Sequence, residues 1–354
     1  MRRKEKQKVN VKSAFGLKKA LALLCCLIAA AAGVVLIMVY NTISSINYEY
    51  VDVKKPNGEQ SAGAMNTSLS NGELLNDPQI LNILLFGEDH RDEGEDHGRS
   101  DTMIMLSVDN RRKKLKMTSF MRDTYVTIPG YDGKYKLNEA YTLGGAKLSI
   151  QTVEANFGIM VDRYAVVDFN AFKDIIDTLG GIELDLSADE VAYINWQSYL
   201  NSQVDERYEL EEVDGKITLN GRQALWYARN RGYEEDEHPE FVVSGDDFDR
   251  TQRQRKLLNA VLNDMKGASL TQIIDIVSKV GPMITTNLKK DEITSLVSNS
   301  LTYLSYEFEE YRVPGDELYR NYETEEALQV LDITDWYAQR KELALFIFES
   351  NVQT

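Results

Sequence analysis

The stretch Ile80-Leu81-Asn82-Ile83-Leu84-Leu85-Phe86, closed by Gly87, decides how the folded part of this 354-residue chain is built. A continuous apolar run that ends at a glycine is typical of a β-strand that is buried on both faces. Such a strand needs covering layers on either side, because both of its faces avoid water. The run therefore predicts a central sheet with other elements packed above and below it.

Further strand and helix patterns follow this run along the chain. Strands are predicted at residues 102–108, 115–120, 164–169 and 182–186. Helices are predicted at residues 147–157, 171–179 and 220–229, and no repeat of solenoid length is present. Strands that alternate with helices are typical of an α/β fold. The sequence therefore predicts a central, mostly β-sheet layer that is sandwiched by helices.

The C-terminal segment, residues 268–354, continues the same kind of pattern. Helices are predicted at residues 270–280 and 291–304, a strand at 307–313, and a terminal helix at 334–349. The apolar run 343–348 in the last helix predicts burial against the main domain. No chemistry is assigned to this segment, and packing is its expected role.

The N-terminal 40 residues have the pattern of a membrane anchor. Residues 1–19 carry a net charge of +7, and residues 20–40 contain no charged side chain. A helix of that length would span about 31 Å, the thickness of a bilayer core. Because basic flanks remain on the cytoplasmic side, the N-terminus is expected in the cytoplasm and the bulk of the chain outside. A cleaved signal peptide is the alternative, but the apolar run continues past its small residues 29–32.

Residues 41–78 are rich in Ser, Asn, Gly and Lys, which predicts an extracytoplasmic stalk in which residues 48–53 could add an edge strand. Both cysteines, Cys25 and Cys26, lie in the apolar run, so the exterior part has no disulfide, which suits a bacterial exterior. The expected organisation is a cytoplasmic tail at 1–19, a transmembrane helix at 20–40, the stalk at 41–78, the main domain at 79–267 and a C-terminal extension at 268–354.

The charge balance argues against nucleic-acid binding. The whole chain carries a formal charge of −16 at pH 7. Nucleic-acid binding proteins instead present clustered Lys and Arg that neutralise phosphates. No nucleic-acid partner is therefore expected.

Five arginines lie between residues 229 and 255 of this acidic chain. The apolar stripe of the predicted helix at residues 257–262 steps back by one and two turns onto Arg250, Arg253 and Gln254. Buried guanidinium groups need an anion, and a fork of donors at a helix N-terminus suits phosphate. A set of structural pairs between these arginines and nearby carboxylates is the alternative, and the stretch alone leaves both open.

Polar residues collect where three of the predicted strands begin or end. The clusters are Glu88-Asp89-His90-Arg91, Gly98-Arg99-Ser100-Asp101-Thr102 and Arg122-Asp123-Thr124. In open α/β sheets such strand ends form the ligand crevice. Asp89 and Asp101 are therefore a candidate site for Mg²⁺ or a similar hard cation. A divalent cation together with several guanidinium groups is suited to bind and activate a pyrophosphate.

Other reaction types find little support in the sequence. The three histidines, His90, His97 and His238, lie in no serine-hydrolase motif, and no cysteine lies outside the apolar run. No Walker loop or dinucleotide fingerprint is present. The acidic insertion at residues 234–240 is expected to be a solvated loop, and an effect on acceptor or metal access is the alternative.

Six motifs occur in order between residues 80 and 267. They are Asn82-Ile-Leu-Leu-Phe-Gly-Glu-Asp89-His-Arg91, Gly98-Arg-Ser-Asp101-Thr-Met, Ser119-Phe-Met-Arg122-Asp-Thr124, Lys136-Leu-Asn-Glu-Ala-Tyr141, Tyr227-Ala-Arg-Asn-Arg231 and Asp249-Arg-Thr-Gln-Arg-Gln-Arg255. Together they resemble the LytR-CpsA-Psr family. The resemblance implies a membrane-anchored extracytoplasmic phosphotransferase of a Gram-positive-type bacterium, with an α/β domain and a hydrophobic tunnel for a polyprenyl tail. Such an enzyme moves an anionic glycopolymer, teichoic acid or capsular polysaccharide, from an undecaprenyl-pyrophosphate carrier to peptidoglycan.

The resemblance also implies catalytic and binding roles for individual residues. Asp89 and Asp101 would hold Mg²⁺ or Mn²⁺. The arginines that would contact or position the pyrophosphate are Arg91, Arg122, Arg229, Arg231 and Arg250. The remaining implied roles are the orientation of Arg122 by Asp123 and substrate binding by Arg99, Arg253 and Gln254. Family members usually carry proline before the arginine at 122, whereas this chain has Met121, so the local turn is expected to differ.

Three functions remain open on the sequence alone. The first is the Mg²⁺-dependent glycopolymer transferase. The second is a pyrophosphatase that acts on the same lipid carrier with water as acceptor, and the third is a noncatalytic regulator that binds the lipid or the wall polymer. Hydrolysis and transfer use the same site, so the first two differ only in the acceptor.

Overall fold

The computed structural model describes residues 43–51, 74–89, 99–200, 209–230 and 247–349. The basic N-terminus, the apolar run 20–40, most of the predicted stalk, the three histidines and the acidic insertion lie outside these ranges. None of the helices within the described ranges is long and apolar enough to cross a membrane. The predicted transmembrane helix is therefore a prediction on residues that the structure does not describe.

Strands and helices alternate along the described chain. The strands are β1 (Asn47–Tyr48), β2 (Ile80–Asp89), β3 (Arg99–Asp109), β4 (Lys114–Phe120), β5 (Tyr125–Val126), β6 (Tyr135–Lys136), β7 (Arg163–Asp168), β8 (Ile182–Leu186), β9 (Gly215–Leu219), β10 (Ile284–Thr286), β11 (Glu307–Val313), β12 (Tyr319–Glu323) and β13 (Gln329–Ile333). The α-helices are α1 (Glu139–Phe157), α2 (Phe169–Leu179), α3 (Ala188–Leu200), α4 (Gly221–Arg229), α5 (Asp247–Gly267), α6 (Leu270–Val280), α7 (Lys290–Ser298), α8 (Ser300–Leu304) and α9 (Trp336–Phe348).

Seven strands form the central sheet in the order β1-β10-β7-β2-β3-β4-β11. β2, β3 and β4 are antiparallel neighbours, whereas β7 runs parallel to β2 and β11 runs parallel to β4. The ends of β2, β4, β7 and β11 and the beginning of β3 therefore lie along one edge of the sheet. We call this the C-terminal edge.

One face of the sheet, the dry face, is fully covered by α1 and α9. Its side chains come from alternate positions of β2, β3 and β4 and belong to the largest hydrophobic cluster. They are Leu84, Phe86, Met103, Met105 and Phe120, none of which exposes more than 4% of its surface. Phe86 packs against Tyr141 of α1 with ring centroids 5.2 Å apart. This face is an ordinary close-packed core.

The opposite face, the open face, is covered less completely. It carries the other alternate positions, among which Ile83 and Ile104 are buried while Leu85 and Leu106 remain partly exposed. The helices α2 to α5 pack mainly against one another and against the β8–β9 hairpin, in a separate hydrophobic cluster. The result is a sheet whose two faces are packed to different degrees.

Most predicted elements are confirmed, and three differ from the prediction in their pairing or in their bounds. The predicted strand 182–186 exists, but it pairs with Gly215–Leu219 in a hairpin outside the central sheet. The predicted helix 291–304 is divided at Asn299. The helix predicted at 147–157 is present as the second part of α1, which begins at Glu139 and is kinked where Gly144 and Gly145 take nonhelical dihedral angles. Glycine at a φ of 60° carries no Cβ penalty there.

Both ends of the described chain join the central sheet. β1 adds an edge strand near the predicted residues 48–53, and Val51 is buried in the dry-face core. At the other end β11 pairs with β4 along its whole length. The predicted burial of the run 343–348 is confirmed for Leu343, Ala344, Ile347 and Phe348, which expose at most 3% of their surface.

A fully buried lysine holds the end of α9 against the sheet. Lys116 of β4 donates hydrogen bonds from Nζ to the carbonyl oxygens of Phe346, at 2.8 Å, and Ile347, at 3.0 Å. Its Nζ also lies 2.6 Å from Oε1 of Glu349. A cation at a helix C-terminus is stabilised by the unpaired carbonyls of the last turn. The lysine is therefore the cap of the terminal helix.

Candidate functional site

The backbone brings the two predicted metal ligands onto neighbouring strands at the C-terminal edge. β2 ends at Asp89, which pairs in register with Arg99 at the beginning of β3. The register shifts after Gly87, so that Gly87 faces Thr102 and Glu88 faces Ser100. Asp101 is thus the extra residue of a β-bulge, a device that re-aims side chains near functional sites. The side chains of Asp89, Arg99 and Asp101 lie outside the described part of the structure.

This backbone arrangement fits a hard cation. Two carboxylates together with phosphate oxygens from a ligand form the kind of donor set that Mg²⁺ takes, and the predicted metal site stays a prediction. Within the described residues no three acids or histidines converge to hold a metal by themselves.

The turn after β4 fixes Arg122 by ion pairs and backbone bonds. Nε of Arg122 lies 3.3 Å from Oδ2 of Asp123, and Oδ1 of Asp123 lies 2.6 Å from Nζ of Lys136. Asp123 thus contacts Arg122, and its predicted role in orienting Arg122 stays a prediction. The backbone N–H of Met121 donates to the carbonyl of Val313 at 2.8 Å. Proline has no N–H to make this bond, so Met121 ties the turn to β11 in a way that proline would not.

The motif at residues 136–141 is hydrogen-bonded to this turn. The N–H of Asn138 donates to the carbonyl of Arg122 at 3.2 Å, and Tyr141 packs on Phe86. Burial, together with the nearby carboxylate of Glu88, holds the pKa of Tyr141 well above its usual value. Tyr141 is therefore a neutral hydrogen-bonding group beneath the site.

Arg229 reaches the same edge from the end of α4. Its guanidinium carbon lies 4.8 Å from the ring centroid of Phe169, the first residue of α2 directly after β7. β7 and β2 are parallel, with Asp168 in register with Glu88. Arg229 is exposed. Arg229 therefore lies beside the end of β7 at the C-terminal edge, with its guanidinium stacked on Phe169.

The first turns of α5 bury the predicted arginines. Arg250 and Arg253 expose 2% and 8% of their surface, and the same stripe continues to Leu257 at 2%. The predicted extension of the apolar stripe into guanidinium groups is therefore confirmed. Nε of Arg253 lies 3.2 Å from Oε1 of Glu190, and its Nη1 donates to the carbonyl of Asn230 at 3.2 Å. These contacts of Arg253 are structural, and its predicted substrate contact stays a prediction.

A small cavity lies between α5 and the strands at the C-terminal edge. It has a volume of about 10 Å³, room for about one water molecule. Arg122, Ser119 and Gln254 line it, with Thr251 and Ile104 beside them. Oγ of Ser119 is buried and finds no hydrogen-bond partner among the described residues. Two predicted site residues from distant parts of the sequence, Arg122 and Gln254, are thus brought into one space.

The sequence did not predict several residues that lie at this edge. Phe169, the stacking partner of Arg229, resembles any apolar helix residue. Arg312 of β11 lies in register with Ser119 of β4 and pairs with Asp316. Only the parallel pairing of β11 with β4 brings this arginine to the site edge, and a short motif carries no such signal. The predicted residues Arg91 and Arg231 lie outside the described part.

Residues 35–342 match the sequence profile of the LytR_cpsA_psr family. The chain belongs to this family. The match includes β1, the whole central sheet and most of α9, and therefore crosses both boundaries predicted for the main domain.

Relatives in the LytR_cpsA_psr family have named activities. The polyisoprenyl-teichoic acid–peptidoglycan teichoic acid transferase TagV of Bacillus subtilis (strain 168) is 31% identical over 284 residues, which cover 79% of this chain and 66% of TagV. The transferase TagU of Bacillus mycoides (strain KBAB4) is 31% identical over 282 residues, covering 78% of this chain and 81% of TagU. TagU of Oceanobacillus iheyensis is 35% identical over 234 residues, covering 64% of this chain and 65% of that TagU.

Solved structures of this family share the fold. The crystal structure of B. subtilis TagV has a TM-score of 0.55 and 29% identity, and covers 76% of this chain and 97% of that chain. TagT bound to LIIa-WTA has a TM-score of 0.60 and 24% identity, and covers 83% of this chain and 96% of that chain. YwtF (TagT) with bound octaprenyl pyrophosphate has a TM-score of 0.56 at 23% identity, and covers 84% of this chain and 97% of that chain. The likeness to the two TagT structures shows the fold alone.

Proposed function

We propose that this protein is a phosphotransferase that moves an anionic glycopolymer of the teichoic acid class from a polyprenyl-pyrophosphate carrier to peptidoglycan. The observation that carries the proposal is the meeting of basic groups from separate elements at the C-terminal edge. Arg122 follows β4, Arg229 stacks beside the end of β7, and Arg250 lies buried in the first turn of α5. The named activities of TagV and TagU support the same conclusion.

The electrostatics of this group suit a pyrophosphate. Guanidinium groups bind phosphate oxygens through paired hydrogen bonds, and the N-terminus of the 21-residue helix α5 adds the positive end of its dipole. The anion-binding site is flanked on the open face by Leu85, which is partly exposed, and by Ile104, which lines the small cavity beside Arg122. These residues are suited to the apolar chain of the carrier. The pyrophosphate end of the donor would thus contact the guanidinium groups, and its polyprenyl chain would contact the apolar side chains.

In the proposed reaction a hydroxyl oxygen of the acceptor attacks the phosphorus that carries the polymer. A new P–O bond forms, and the bond from this phosphorus to the bridging oxygen of the pyrophosphate breaks. The electron pair leaves with the polyprenyl monophosphate, and the hydroxyl proton is released to water. The arginines stabilise the charge that builds up on the leaving phosphate.

Asp89 and Asp101 would hold Mg²⁺ or Mn²⁺ at this edge. Such an ion, when bound, would neutralise pyrophosphate oxygens and so favour departure of the lipid phosphate. The role of the protein is to place two carboxylates on adjacent strands, one of them in the bulge of β3. This assignment rests on the backbone register and on the donor chemistry.

The same proposal places the domain outside the cell, on the membrane that carries its donor. The uncharged run ends at residue 40, and Ile43 is already buried in the folded domain. Three residues of extended chain span at most about 10 Å. A single-pass anchor at residues 20–40, with its N-terminus in the cytoplasm, would therefore hold the domain directly at the membrane surface, where a lipid-linked donor is available.

Transfer of a labelled polymer tests the function. The full-length protein in lipid vesicles is given a polyprenyl-pyrophosphate-linked teichoic acid carrying a radiolabel, together with purified peptidoglycan and Mg²⁺. Label bound covalently to peptidoglycan is the expected result, and its loss in the double variant Asp89→Asn/Asp101→Asn would link it to the strand-end carboxylates. Release of free polymer without transfer would instead identify a pyrophosphatase, and lipid binding without turnover would identify a regulator.

A further inference from the structure

A second, larger space lies on the outer side of α5, away from the small cavity at the strand ends. It is an open groove of about 710 Å³ between α5 and the elements α3 and α4, and it extends to the edge strand β11. Glu190 of α3 lies at one side, and the buried Tyr227 of α4 lines it. At the far end Nδ2 of Asn259 donates to Oε1 of Glu310 at 2.5 Å. We call this space the outer groove.

The outer groove begins beside the arginine site. Asp249 lines the groove and directly precedes the buried Arg250. Arg253 lines the groove as well, and its Nη1 bonds to the carbonyl of Asn230, the residue after Arg229. From Asp249 to Asn259 the helix runs ten residues, which corresponds to about 15 Å. The groove is therefore an elongated space with one end near the proposed pyrophosphate.

The charges of the outer groove are balanced. Among the residues that the structure describes, three carboxylates, from Glu190, Asp249 and Glu310, face three cations, and the cations come from Arg253, Arg255 and Lys256. The chain as a whole carries −16, so this neutrality is a local property of the groove. A polyanion would gain little here, because each cation is matched by a carboxylate. A ligand without a large net charge fits the groove better.

The remaining groups of the groove are suited to hydroxyls. The amides of Gln252 and Asn259 each offer donors and an acceptor, and Gln252 is exposed. Nε of Arg255 is buried and has no hydrogen-bond partner among the described residues. Donors and acceptors along an elongated groove of balanced charge match a chain of sugar rings, whose hydroxyls both donate and accept.

We propose that the outer groove binds the acceptor, a glycan chain of peptidoglycan, and presents one of its hydroxyls to the phosphorus held at the arginine site. This inference rests on the proposed transferase function. It assigns the two substrates to opposite sides of the first turns of α5, with the anionic donor at the arginines and the acceptor in the groove. The acceptor hydroxyl forms the new bond to phosphorus, and the lipid phosphate leaves on the donor side.

Binding of the glycan without donor tests this inference separately from catalysis. The probe is a soluble, uncrosslinked peptidoglycan glycan fragment, titrated calorimetrically into the full-length protein in detergent. The variant Gln252→Ala/Asn259→Ala should bind it about 10-fold more weakly, because two hydrogen bonds are lost. Asn263→Ala is the matched control, since Asn263 is an exposed amide one turn further along α5 and outside the groove. It should bind as the unmodified protein does.

Kinetics extend the same test to the reaction. The groove variant should raise the KM for the glycan about 10-fold while the KM for the lipid donor changes by less than twofold. Unchanged glycan binding in the groove variant would overturn the inference, and so would a groove that binds a polyglycerol phosphate better than the glycan. Glycan binding that depends on the groove would support the inference even if no polymer transfer occurs, in which case the transferase proposal alone fails.

Discussion

The two faces of the central sheet are built from the same strands but packed for different purposes. Phe86 and Leu85 are neighbours on β2 and point to opposite faces. Phe86 exposes 1% of its surface and contacts two tyrosine rings, whereas Leu85 remains partly exposed. The dry face buries its side chains completely, while the open face leaves apolar surface uncovered beside a group of arginines. If the open face binds the lipid donor as proposed, stability and ligand binding are divided between the two faces.

The largest effect is expected on the dry face. Phe86→Ala should lower the free energy of unfolding by about 3–5 kcal/mol, because it leaves a cavity between Tyr141 and Tyr164. Urea unfolding followed by fluorescence measures the change. A loss below about 1 kcal/mol would show that this face is not close-packed, and the contrast between the faces would disappear.

Next in size is the effect of Arg250 at the edge of the open face. Arg250→Ala and Arg250→Lys should each lower the transfer rate by about 10²- to 10³-fold, since lysine keeps the charge but loses the paired donors. Arg222→Ala, on an exposed position of α4, is the matched control and should transfer normally. If the Arg250 variants unfold early but their folded fraction transfers at the normal rate, the arginine is structural.

A smaller and qualitatively different effect is expected for Leu85. Leu85→Ala should cost only about 1–2 kcal/mol of stability, because the side chain is partly exposed and the cavity left behind is incomplete. The affinity of the Leu85→Ala protein for a polyprenyl pyrophosphate incorporated into detergent micelles should nevertheless fall. Phe86→Leu, which trims the neighbouring residue on the other face, should leave that affinity intact. Equal binding losses in both variants would contradict the division between faces.

The smallest effect is expected for Glu154, a titratable residue of α1, the helix that covers the dry face. Burial raises the pKa of Glu154 on α1 to about 7, with the nearby Asp162 adding to the rise and the N–H of Val161, which donates to Glu154 at 3.1 Å, opposing it. The folded state therefore holds this proton more tightly than the unfolded state, and stability decreases as pH rises from about 4.5 through 7.

Partial exposure of Glu154 limits this change to the order of 1 kcal/mol. Glu154→Gln keeps a hydrogen-bond acceptor for Val161 but cannot ionise, so its stability should be flatter across the same range. Chemical unfolding at pH 5, 6, 7 and 8 for both proteins measures the difference. Parallel curves would show that Glu154 does not titrate there.

The sequence predicts the inner strands of the sheet well, because each is a long apolar run with few alternatives. It also predicts the burial of Arg250 and Arg253, since helical periodicity carries the apolar stripe directly onto them. Both are local patterns, and the structure that each one forms depends little on the rest of the chain.

Long-range pairing is what the sequence does not reveal. The strand Ile182–Leu186 alternates buried and exposed residues and pairs with Gly215–Leu219 instead of joining the sheet. Arg312 reaches the site only through the register of β11 with β4. The bulge at Asp101 follows from a one-residue difference between two strands, which neither strand shows alone. The role of each strand-end residue therefore depends on partners distant in sequence.

The buried Lys116 has a consequence for the order in which the chain can fold. Its ammonium group lies in β4, yet its partners are the last carbonyls of α9 and the carboxylate of Glu349. Until those residues have been synthesised, the central sheet would have to bury an uncompensated positive charge, which is costly. The central sheet can therefore complete its packing only after α9 is in place. Lys116 thus makes folding of the sheet depend on carbonyls that lie 230 and 231 residues later in the chain.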